Sequence, residues 1–244
     1  MSRKIVLSFV IFLLSVQSAF AASLIINPSM DTYVMNAMEL DHSIENTLDV
    51  DNYVTSKVSL VQFDIASYLP ADTIINSATL AFEIQGFRIG ANGRFPGATF
   101  HSINKPWLDS TVVWSDIYLS PVGYPQQDPG NNFYDSTAIY TYNPIFPIGW
   151  VAFDATLPAR DWLTNINNGI LIAPFWSDEW TGGLSFYSSE SSGESYVYND
   201  DPTHHPKLII DYTEGQSGNE VPEPLTVFMF GFGIIGLFLK KKFS

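Results

Sequence analysis

Between Thr79 and Gln85, the apolar residues Leu80, Phe82 and Ile84 fall at every second position, while Thr79, Glu83 and Gln85 face the other way. In an extended chain, alternate side chains share a face, so this stretch reads as a strand buried on one side. The same reasoning predicts strands over Lys57 to Phe63, Ala98 to Ile103, Thr111 to Trp114 and Ala138 to Tyr142. It predicts five more over Trp150 to Ala155, Gly169 to Ala173, Leu184 to Tyr187, Ser195 to Tyr198 and Lys207 to Tyr212. Turn-forming clusters separate them: Tyr68-Leu69-Pro70-Ala71-Asp72, Gly90-Ala91-Asn92-Gly93 and Asn199-Asp200-Asp201-Pro202. Each apolar strand face needs a cover, and 46% hydrophobic residues with 15% aromatics are enough to build one. The expected fold is all-β, a jelly-roll-like antiparallel β-sandwich.

One segment departs from that period. Trp162, Leu163 and Ile166 are spaced as on a helix, with Pro158 early in the run and Asn167-Asn168-Gly169 after it. A single short helix over Pro158 to Ile166, closed by Gly169, is expected there. No internal repeat is present, and the polar run Thr213 to Glu220 reads as a linker.

Composition removes several kinds of function. With no cysteine, disulfide scaffolds, zinc ribbons, iron–sulfur sites and cysteine nucleophiles are excluded. The formal net charge of −14 repels nucleic acid. No G-x-S-x-G, P-loop or H-E-x-x-H motif occurs.

The two ends read as targeting segments. Arg3 and Lys4 precede an apolar run from Ile5 to Val16, and Ala19-Phe20-Ala21 places small residues three and one before a cut after Ala21. Residues 1–21 therefore read as a secretory signal peptide, with signal peptidase as a partner during export. At the other end, Leu225 to Leu239 is apolar and Lys240, Lys241 and Lys242 follow. As a helix this run reaches roughly 22 Å, short of a hydrocarbon core of roughly 30 Å, and snorkelling lysines help close the gap. A C-terminal membrane helix with its basic end in the cytoplasm is expected. Between the ends, 24 acidic residues face six basic ones (Lys57, Lys105, Lys207, Arg88, Arg94 and Arg160), leaving about −18 on the exported part.

Val221-Pro222-Glu223-Pro224, the apolar span and the basic tail, in that order over residues 221–244, resemble the PEP-CTERM sorting signal of Gram-negative bacteria. The resemblance implies recognition by a membrane exosortase and processing near Pro222-Glu223-Pro224. A transient inner-membrane anchor would then give way to the cell surface or extracellular matrix of an exopolysaccharide-producing cell.

A second resemblance spans about Asp31 to Tyr212 within the 22–212 domain. Asp31-Thr32-Tyr33-Val34, Val61-Gln62-Phe63-Asp64-Ile65 with Leu69-Pro70 and Ile75 to Leu80, and Trp107 to Trp114 resemble successive elements of the DNRLRE domain family. So do Trp150 to Thr156 with Trp162 and Asn168 to Leu171, Ser185 to Glu190, and Pro206 to Tyr212. That family implies a jelly-roll sandwich, and some members are classed as carbohydrate-binding module family 96. The chain departs from the pattern over Asn36 to Asn52, and it has Ser189 where the family carries arginine.

Candidate sites follow from residue chemistry. Asp178, Glu179, Glu190 and Glu194 are the carboxylates that glycoside cleavage would draw on, although with 24 acids some neighbours arise by chance. His204 and His205 are adjacent, so in extended chain they point to opposite faces and read as a solvated loop rather than a metal pair. Asp49-Val50-Asp51-Asn52 has the opening spacing of a calcium loop without the later Gly and Glu of an EF-hand. A structural calcium ion is the only cofactor such a fold suggests, with no ligands named. Trp107, Trp114, Trp150 and Trp162 fall in the family pattern and are expected in the core. Trp176 and Trp180 bracket Ser177-Asp178-Glu179 and combine apolar ring faces with polar neighbours, as a pyranose requires. They are the possible carbohydrate-binding pair, the alternative being that the rings cap the core.

The expected function is that of a non-catalytic exported surface or matrix protein associating with exopolysaccharide. A polysaccharide lyase or glycoside hydrolase and a purely structural surface protein are the competing classes.

Overall fold

The computed structural model describes residues 21–36, 47–52, 56–90, 93, 95–117, 132–145, 147–175, 182–189 and 203–215. Their strands are β1 (Ala21–Ile26), β2 (Met30–Met35), β3 (Thr47–Asn52), β4 (Ser56–Gln62), β5 (Ile74–Ile89) and β6 (Ala98–Ser102). Then come β7 (Tyr140–Tyr142), β8 (Gly149–Asp154), β9 (Ile170–Pro174), β10 (Gly182–Tyr187) and β11 (Lys207–Thr213). Two helices interrupt them, α1 (Trp114–Ile117) before β7 and α2 (Thr156–Thr164) after β8.

All pairings are antiparallel, and the strands form one sheet in the order β1-β11-β5-β10-β3-β4-β9-β6-β7, with β2 added on β4 and β8 on β5. The sheet curls until its halves face each other. Phe100 of β6 meets Phe82 of β5 at 5.5 Å between ring centroids, and Tyr140 of β7 stacks on Phe153 of β8 at 4.7 Å. The main core fills the space between, with Leu80, Phe82, Phe186, Leu208 and Ile210 from one half and Val61, Ala98, Phe100, Ile170 and Ile172 from the other.

β5 is the spine of the sheet. Its 16 residues, at about 3.3 Å each, span roughly 50 Å. The alternation predicted strand only over Thr79 to Gln85; β5 is longer because two partners share its edge in succession. β11 pairs with Ile74 to Ala81 and β10 with Ile84 to Ile89, each with a register shift. On the other edge β8 pairs with Thr79 to Ile84.

Other differences from the sequence reading have local causes. Thr111 to Trp114 is not a strand. Val112 N–H donates to the Leu108 carbonyl, and α1 then turns Trp114 and Ile117 onto the same buried surface. Strand structure in Ala138 to Tyr142 is confined to β7. The helix runs Thr156–Thr164 rather than Pro158 to Ile166, and begins where the Asp154 carboxylate accepts both the backbone N–H (2.8 Å) and the hydroxyl (2.6 Å) of Thr156. The Thr156 hydroxyl, then its amide, hold the Asp154 carboxyl below its usual value. Gly169 does not cap this helix, which ends at Asn165 in extended backbone. Gly169 has φ +79°, and a Cβ there would fall 2.1 Å from the Val61 carbonyl oxygen, so it serves close approach to β4.

β1 and β3 were not predicted as strands, and β11 runs to Thr213, the first residue of the expected linker. Ser195 to Tyr198 and the expected C-terminal membrane helix lie outside the described residues. Among those described, no helix is long and apolar enough to cross a membrane.

Candidate functional site on the outer face of β5

Residues of β5 that point away from the core form a surface with β8, β10 and β11. Val151 and Phe153 of β8 face inward, so Trp150, one place before Val151, faces outward and sits opposite Glu83 in the ladder. Trp150 is 43% exposed. This corrects the expectation of a core tryptophan: strand parity, visible in the alternation around Val151 and Phe153, outweighs the ring's hydrophobicity. Trp107, Trp114 and Trp162 are buried, as expected.

Lys207 opens β11 on the other side of β5, opposite Ala81. Its Nζ lies 5.0 Å from the centroid of the Trp150 ring and donates to the Thr203 carbonyl oxygen at 2.5 Å. A lysine over a partly exposed indole contributes about 0.5–1 kcal/mol, enough to hold both side chains in place without burying either. His204 belongs to the same surface. Its Nδ1 is 2.5 Å from Glu83 Oε2, and its ring stacks on Tyr187 of β10 with centroids 4.9 Å apart and planes 26° from parallel. His204 and His205 lie in a loop, as expected, but the His204 ring is fastened to the sheet by these contacts rather than left wholly to solvent. The contact was invisible in sequence because Glu83 and His204 are 121 residues apart.

The result is a strip of two aromatic rings, Trp150 and Tyr187, interleaved with a carboxylate, an imidazole and an ammonium group. Chemically it offers flat apolar surface beside hydrogen-bond donors and acceptors of both charges.

Other sequence candidates fall elsewhere. Asp49 and Asp51 lie on β3, where their spacing is the strand period. Asp49 accepts from Lys57 Nζ at 2.5 Å and Ser185 Oγ at 2.7 Å, and Asp51 pairs with Arg88. Among the described residues no three or more His, Asp or Glu side chains are grouped as a metal site. Asp31 is buried at the start of β2 and accepts from the backbone N–H of Ser189 at 2.7 Å and from Ser188 Oγ at 3.3 Å. These contacts tie the first strands to the end of β10. Trp176, Trp180, Asp178, Glu179, Glu190 and Glu194 lie outside the described residues. So do Val221, Pro222, Glu223, Pro224, Lys240, Lys241 and Lys242 of the tail.

No protein-family model matches the chain. No curated protein matches it.

Proposed function

We propose that this is an exported, non-catalytic surface or matrix protein that binds polysaccharide through the outer face of β5. In this reading residues 1–21 are removed by signal peptidase, and the Val221-Pro222-Glu223-Pro224 tail is a PEP-CTERM signal handled by an exosortase. The curled sheet is then a jelly-roll sandwich of the DNRLRE type.

The observation that carries the binding reading is Trp150, a half-exposed indole opposite Glu83 in the ladder and with the Lys207 ammonium above its ring. A pyranose has an apolar C–H face that stacks on such a ring and hydroxyls that need charged or amide partners at its rim. Tyr187 and His204 extend the same chemistry along the strip. Trp176 and Trp180 remain the second pair to test.

Binding of the protein released from cells to the exopolysaccharide of its host, measured by calorimetry or a glycan array, tests the proposal. Trp150→Ala is expected to weaken binding at least tenfold; unchanged binding removes this face as the site. If only Trp176→Ala and Trp180→Ala weaken binding, the site moves to that pair. Steady release of reducing ends or unsaturated sugars would replace the binding reading with the enzymatic one.

A further inference from the structure

The bond that signal peptidase is expected to cut lies inside a strand of the finished sheet. β1 begins at Ala21, and its residues pair in unbroken register with β11: Ala21 with Thr213, Ala22 with Tyr212, and so on to Ile26 with Leu208. Ile26 is fully buried in the main core and Leu24 packs against it, so β1 is anchored by its apolar face as well as its backbone. A peptidase that reads small side chains three and one before the cut takes its substrate as an extended segment, through main-chain hydrogen bonds. The residues on both sides of the Ala21–Ala22 bond are already committed to the β11 ladder.

We propose that docking of β1 on β11 closes this bond to signal peptidase, so that leader removal must precede completion of the sheet. The inference rests on the export reading above. Chain order supplies the window for cutting. Among the described strands β1 pairs only with β11, which is the last of them, and the two are separated by roughly 190 residues. At about 5–20 residues per second, synthesis leaves the Ala21–Ala22 bond without its partner strand for roughly 10–40 s. The same register sets Ala21 and Thr213 side by side at one end of the sheet.

The test uses the full-length precursor in detergent with a purified bacterial signal peptidase, and reads the new N-terminus by mass spectrometry. Precursor diluted from urea directly into the peptidase is compared with precursor refolded before the peptidase is added. Chains met while refolding should be cut between Ala21 and Ala22, and refolded chains more slowly by on the order of tenfold or more, the cut waiting on local opening of β1. Leu24→Pro, which takes away the leucine side chain packed on the core and one backbone N–H of this edge strand, should restore cutting of refolded chains. Near-UV circular dichroism establishes that the rest of the sheet is intact. Equal rates for the two wild-type samples would overturn the gate and leave the export reading standing. Continued resistance of a folded Leu24→Pro chain would also overturn it. Absence of a cut at Ala21–Ala22 in either sample would overturn the export reading and the gate together.

Discussion

The two apolar clusters of the molecule are built in different ways. The main core lies between the facing halves of the sheet and is made mainly of alternating strand residues, with Phe63, Ile65 and Leu69 from the loop after β4 and Ala159, Trp162 and Leu163 from α2. The second cluster lies on the opposite side of β4 and β9. Val58, Leu60, Leu171 and Ala173 are covered there by Trp107, Val112, Trp114 and Ile117 and by Phe133 and Tyr134, which come from irregular chain and α1. β9 is consequently buried along its whole length, which accounts for its unbroken apolar run Ile170-Leu171-Ile172-Ala173-Pro174. A sheet face that matches another sheet face needs only the right period. A face covered by loops also needs polar ties, because the covering backbone has no ladder of its own. Here these are Trp107 Nε1 donating to the Asn168 carbonyl at 2.7 Å, Asn104 N–H to the Phe133 carbonyl at 2.7 Å, and the Ile103–Tyr134 bridge.

This contrast is open to direct challenge. Phe100 touches the rings of Phe82, Phe153, Tyr140 and Phe186, joining both halves of the sheet. Phe100→Ala should cost about 3–5 kcal/mol, read as a lower urea midpoint with unchanged slope for the whole protein. In the second cluster, Trp107→Phe keeps most of the ring but leaves the Asn168 carbonyl without its donor. A cost of about 1–3 kcal/mol is expected, with amide exchange accelerated in 103–117 and unchanged in β5. Equal acceleration in both regions would show that the covering segment is not a separate layer of stability.

A smaller effect comes from His101, which lies against Tyr134 with Nδ1 2.8 Å from the Asp135 carbonyl oxygen. Burial lowers its pKa from the ordinary 6.5, outweighing the raising influence of Asp135. Its folded pKa lies below the unfolded one, so the unfolded chain binds the proton first. The neutral ring leaves stability undiminished above pH 6.5, and stability falls as the pH drops from there toward the folded value. His101→Gln should flatten that part of the pH–stability curve, measured by urea titration at several pH values. The smallest stability change is expected outside both clusters. Trp150→Ala should shift stability by no more than about 1 kcal/mol, the loss of its contact with Lys207 included, because the ring covers no core. A loss comparable to that of Phe100→Ala would show that the outer face is part of the fold's foundation rather than a surface available to a ligand.

Much of the fold was legible from residue order. The inward positions of β5, β8, β10 and β11 follow from alternation, and so do the turns at Tyr68 to Asp72 and near Gly90 to Gly93. Thr111 to Trp114 was misread because a short apolar run has the same composition whether it extends in a ladder or turns onto a neighbouring sheet. β3 is not legible as a strand because Asp-x-Asp is both the opening spacing of a calcium loop and a strand period; Lys57, Ser185 and Arg88, which engage those carboxylates, come from other strands. Trp150 was assigned to the core on the strength of a family pattern, against the parity of its own strand.

By itself, the sequence determined the inward face of the alternating strands, such as Leu80, Phe82 and Ile84 of β5, because side-chain period is a local property of the chain. It also carries the charge, apolar length and small residues on which the export proposal rests, since these are read one segment at a time. Only the tertiary structure decided that β5 serves two successive partners, that His204 meets Glu83, that Trp150 lies under Lys207, and that Ala21 pairs with Thr213. Each of these joins residues from separate strands or loops, and their register is set by how the whole sheet curls to cover its core. No local pattern encodes that, because the burial that selects one curl over another is shared among all the described strands at once.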